Sequence, residues 1–162
     1  MPFKNSFQST LVSIVTVTLL FAFTQGYTNK NEAYKDKFIK NEPEMSIDTF
    51  STFPPEIDGC SCYFSNDSSE FNKGKYIYIN DYAQTSFLKI NGVLTRFTQT
   101  YIKEIDSLST IANYIGDIYN MTIELKDGIQ NGDETWLKSG TINVTDISGN
   151  TITKTFYGEC GC

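Results

Sequence analysis

All four cysteines of this chain fall in two C-x-C units, Cys60-Ser61-Cys62 and Cys160-Gly161-Cys162. Side chains two residues apart on an extended segment point the same way, so each unit offers two sulfurs to one face. Three chemistries suit such an arrangement: disulfide bonding, four-thiolate coordination of zinc or copper, and thiol redox exchange. Zinc ribbons more usually use C-x2-C knuckles, and reactive thiols sit at helix N-termini or beside cations, a setting neither unit shows. Structural disulfides are therefore the expectation and no cofactor is required; a four-cysteine metal-binding or thiol-redox protein is the alternative. Antiparallel neighbours would pair Cys60 with Cys162 and Cys62 with Cys160. Parallel neighbours would pair Cys60 with Cys160 and Cys62 with Cys162, and bridging within each unit is a third connectivity.

Other chemistry is thinly represented. The chain has no histidine, which removes the commonest general base and the Ser-His and Cys-His nucleophile systems. No catalytic residue is nominated, and a non-enzymatic protein is expected. Asp127, Asn131, Asp133 and Glu134 form a candidate calcium loop, although their spacing departs from D-x-[DN]-x-[DN]-G and turn chemistry accounts for the same residues. Trp136, the single tryptophan, is a candidate contact for a protein or carbohydrate partner; the competing assignment is a core position on the strand that starts there. Tyr76, Tyr78 and Tyr82 are expected to form one packed face.

Length and charge narrow the class. The 162 residues carry a net charge of -6, so no basic surface is available for a phosphate backbone and nucleic-acid binding is not expected. Lys4, the apolar run Leu11 to Phe23 and the small residues after it read as a secretory signal over residues 1–26. Membrane contact is then confined to that segment before cleavage, and the mature protein is exported to a periplasmic, cell-surface or extracellular space where disulfides persist. Residues 27–56 form a polar, loosely structured arm; Phe38, Ile39, Ile47 and Phe50 are its candidates for docking on the domain.

The elements that must position the sulfurs lie in a β-rich domain over residues 57–162. Twelve Phe and ten Tyr favour strands. Strands are expected at Cys60 to Phe64, Lys75 to Asn80, Met121 to Lys126, Leu137 to Asp146 and Thr151 to Tyr157. Asn91-Gly92 between SFLKI and VLTRF is a hairpin signal, because both positions tolerate positive φ. Ile102, Ile105, Leu108, Ala112, Ile115 and Tyr119 recur at threes and fours, which predicts one helical insertion over about 101–119. The expected fold is mainly β, an antiparallel β-sandwich or small barrel with its ends tied by cysteines. A small exported β-domain with a strand-NG-strand hairpin is superficially similar to the C-type lysozyme inhibitors. Their Ser-Gly-x-x-Tyr motif has no counterpart at Ser139-Gly140 or Ser148-Gly149, and no function is carried over. The expected function is an extracytoplasmic binding or structural module of unknown ligand.

Overall fold

A computed structural model describes residues 44–162, and the proposed signal segment, Phe38 and Ile39 lie outside them. Nine strands follow in chain order: β1 (Ile47–Asp48), β2 (Ser61–Ser65), β3 (Tyr78–Asn80), β4 (Thr85–Ile90), β5 (Val93–Asp106), β6 (Ser109–Ile115), β7 (Tyr119–Gln130), β8 (Thr135–Asp146) and β9 (Thr151–Gly161). One helical turn, α1 (Ser68–Phe71), sits between β2 and β3; Asp67 starts it by accepting the Glu70 N–H at 2.9 Å.

From β2 to β9 each strand pairs antiparallel with the next, and β9 returns to β2. Eight strands thus close into an up-and-down barrel, the barrel member of the two architectures expected. Closure removes the unpaired edges that an open sheet would expose. β3 covers only Ser86 to Leu88 of β4, and β1 takes over the same edge at Lys89 and Ile90. The β4–β5 turn is the Asn91-Gly92 hairpin, with φ of 48° and 80°. β1 holds this turn from outside: Asn91 Oδ1 accepts the Ser46 N–H at 2.8 Å and Asp48 Oδ2 accepts the Gly92 N–H at 2.6 Å.

The helical insertion is a correction. Residues 101–119 form the end of β5, a tight turn, β6, a second turn over 116–118 and the first residue of β7. Their three-four spacing arises because the chain reverses at Ser107-Leu108 while two register shifts, at Gln99/Tyr101 and Glu104/Asp106, break the period of two. Asp106 Oδ1 accepts the Leu108 N–H at 2.8 Å and shapes the reversal. The Ile and Thr residues there suit a pleated strand better than a helix.

Packing is densest at the hairpin end of the barrel. Inward-facing Phe64 stacks between Tyr78 and Phe156, with ring centroids 5.1 and 4.2 Å away, while Leu88, Ile90, Phe97, Met121 and Val144 are buried in the same core. Each such side chain contributes ~1.5–3 kcal/mol by leaving water. Opposite Phe64 stands Gly158, where a Cβ would come within 2.7 Å of the Phe64 ring. Part of the arm also belongs to this body. Met45 and Ile47 are buried in the core, Phe50 exchanges backbone hydrogen bonds with Tyr76, and Phe53 lies against Tyr63 and Tyr76 on the outer wall.

β2 and β9 are joined by two disulfides, Cys60–Cys162 and Cys62–Cys160, with Cα atoms 4.1 and 4.0 Å apart. This is the antiparallel pairing. The bridges close loops of nearly the same length, 102 and 98 residues apart in sequence, so their contributions are unequal. In the chain-entropy treatment the first bridge is worth up to ~4.7 kcal/mol, but once it exists the second closes only a small ring and adds about 2 kcal/mol. Urea unfolding of Cys62→Ser/Cys160→Ser should therefore show a loss of about 2 kcal/mol, against a ceiling of about 7 kcal/mol for the variant lacking both bridges. Equal losses in the two variants would contradict this nesting.

Candidate functional site

The opposite end of the barrel is hollow. There β2 begins, β9 ends, and β5, β7 and β8 run on beyond their neighbours, and between them lies a cavity of about 360 Å³. Its floor is the Tyr78–Tyr114 pair, whose hydroxyls hydrogen-bond at 3.2 Å. Its walls are built from the inward set of alternating residues: Ala112 on β6, Ile123 and Leu125 on β7, Asn80 on β3 and the Cys62–Cys160 bridge. The packed end carries Phe, Met and Leu at the corresponding positions, whereas this end carries Ala112, Thr110 and Asn80, and the volume left over is the cavity.

Polar groups converge on it at two levels. At the floor, burial pushes the Tyr78 and Tyr114 hydroxyls above the ordinary tyrosine range, so both stay protonated; Tyr78 donates to Tyr114, which leaves the Tyr114 proton for another acceptor. At the mouth, Lys138 Nζ donates to Asp127 Oδ1 at 2.6 Å. The lysine side chain is 13% exposed and the aspartate 43%, so the cation is the more deeply held partner. Around the opening several large apolar side chains are exposed among charged ones: Tyr82, Ile102, Ile105, Leu108, Ile129 and Trp136.

The sequence candidates are distributed unevenly over this site. Cys62 and Cys160 line it as a disulfide, and Cys60–Cys162 lies one step further out. Four-thiolate coordination would require both bridges to be reduced, and no free cysteine occurs among the described residues. Of the candidate calcium loop only Asp127 reaches the cavity. Asn131 Nδ2 donates to Glu159 at 3.2 Å, and Gln130 is held by the Gly132 and Asp133 carbonyls. Glu134 contributes its carbonyl to the Cys162 N–H. Among the described residues no cluster of three or more His, Cys, Asp or Glu is placed to share a metal ion. Trp136 stands opposite Cys160, on the inward side at the lip, and is 39% exposed. The three tyrosines do not share a face: Tyr76 joins the outer cluster with Tyr63 and Phe71, Tyr78 is inside, and Tyr82 is on the rim. Tyr114 and Ala112 were hidden by the helical expectation. Lys138 was legible, because it interrupts the inward series Trp136, Gly140, Ile142, Val144 of β8.

No protein-family model, curated protein or solved structure matches this chain.

The buried phenols carry a pH dependence. Tyr63, Tyr76, Tyr78 and Tyr114 all have values raised above the ordinary 10.0, in each case chiefly by burial. A folded-state value above the unfolded one gives stability that is complete below pH 10 and is lost as pH rises through the folded values. Denaturant unfolding should show constant tyrosine-linked stability up to about pH 10 and a fall above it. Tyr78→Phe/Tyr114→Phe should make that fall shallower; an unchanged alkaline slope would remove these two residues from the account.

Proposed function

We propose that this protein is a small-molecule-binding barrel that works in an oxidising, extracytoplasmic space: periplasmic, at the cell surface or extracellular. The observation that carries the reading is the cavity of about 360 Å³ left open at one end of an otherwise filled barrel. Protein interiors pack nearly without voids, and an eight-stranded barrel is just wide enough either to be filled by side chains or to hold one small ligand. This barrel is filled at one end and hollow at the other. The hollow has the character of a ligand site, with mostly apolar walls and few polar groups, at the floor and at the mouth. Export is supported by the two disulfides and by the Leu11 to Phe23 run. Trp136 and Tyr82 serve this reading as lip contacts, where an aromatic ring can cover an entering ligand.

A library of small amphipathic compounds, scored by thermal shift and native mass spectrometry on the disulfide-intact protein, tests the proposal against Ala112→Phe, which fills the cavity from one wall. Compounds at about 100 times their Kd should stabilise the wild type by ~2.7 kcal/mol and leave a folded Ala112→Phe protein unshifted. Equal shifts in both proteins, or none in the wild type, would overturn the assignment of the cavity.

A further inference from the structure

We infer that the cavity takes a small monocarboxylic acid, held by its carboxylate at Lys138 Nζ with its apolar body against Ala112, Ile123 and Leu125; this rests on the binding reading above. Among the described residues that line the cavity, Lys138 is the one cation and Asp127 the one carboxylate. Their unequal exposure, 13% against 43%, matters. A largely covered lysine side chain has less water at hand to replace a lost partner, whereas the half-exposed Asp127 can turn toward water at little cost. Lys138 therefore needs an anion more than Asp127 needs a cation. An ammonium has three N–H donors, and Asp127 accepts one of them. On the other flank the place opposite Lys138 is Gly158, whose missing side chain is replaced by Phe64, while Lys138 itself lines the cavity.

Size and charge set the class. At ~30 Å³ per water molecule, 360 Å³ holds about a dozen small groups, which suits an acid of about ten non-hydrogen atoms. A single lysine beside an aspartate, on a chain of net charge -6, favours a monoanion over a phosphate, and the cavity lining has no arginine fork. At the floor, the Tyr114 hydroxyl, which accepts from Tyr78 and keeps its own proton, can receive a hydroxyl or carbonyl on the far end of the acid.

Calorimetric titration of the disulfide-intact protein with octanoate, octanol and octylamine tests this, because the three share one apolar body and differ in head group. Octanoate should bind at least ~10-fold tighter than octanol, as expected for a hydrogen bond to a charged group, and octylamine weakest. Lys138→Gln should bring the octanoate-to-octanol preference close to one. Asp127→Asn, which removes the internal competitor, should tighten octanoate; a purely structural ion pair would give no gain in affinity from that change. Equal binding of the three probes, an octanoate preference that survives Lys138→Gln, or no gain with Asp127→Asn would overturn the carboxylate assignment while leaving the cavity as a binding site. Binding of any probe undiminished by Ala112→Phe, or no binding of any, would overturn both.

Discussion

The return of β9 to β2 is the constraint on which the rest of the structure depends. It joins the two ends of the domain, and without it the eight strands would be a curled sheet with two open edges. Its register is as consequential as its existence. Cys62 meets Cys160 and Phe64 meets Gly158, so one bridge and one stacked ring enter the lumen on adjacent inward positions. A slip of one residue would turn both outward. The sulfur bonds hold this alignment at the mouth, and the absence of a side chain at Gly158 makes room for the Phe64 ring deeper in.

Stability and the candidate site are separated along the barrel axis. Phe64, Leu88, Ile90, Phe97, Met121 and Val144 fill the hairpin end, which β1 and the Asn91-Gly92 turn brace from outside. The cavity end is held differently, by two disulfides and an ion pair that need little volume. Covalent and charged links can support a rim whose interior is empty, because they do not depend on a packed neighbourhood. The Tyr78–Tyr114 pair marks the border between the two regimes, presenting aromatic carbon to the core and hydroxyls to the cavity.

The outer wall adds a second layer of support near the same seam. Tyr63 donates to Glu159 across the β2–β9 pair, and Asn131 donates to the other oxygen of that carboxylate. Glu159 thereby ties the β7–β8 hairpin, which forms part of the rim, to the wall that closes the barrel. Phe53, Phe71 and Tyr76 pack around Tyr63 and cover this link. Residues 50–53, read from sequence as part of a loose arm, thus lie against the barrel.

What the sequence alone determined were features of short range: the shared face of each C-x-C unit, the Asn91-Gly92 turn, and the alternation that makes strands of Met121 to Lys126 and Thr151 to Tyr157. These are set by backbone geometry within a few residues. Where a reversal without a turn signature adjoins register shifts, the local pattern misleads, and residues 101–119 mimic a helical spacing for that reason. Three things were decided by tertiary structure: the pairing of the cysteines, the choice of barrel over sandwich, and the cavity itself. Each depends on residues far apart in the chain, as Tyr78 is from Tyr114 and Cys62 from Cys160. A cavity, moreover, is the volume that side chains from several strands fail to fill, and no single segment encodes it.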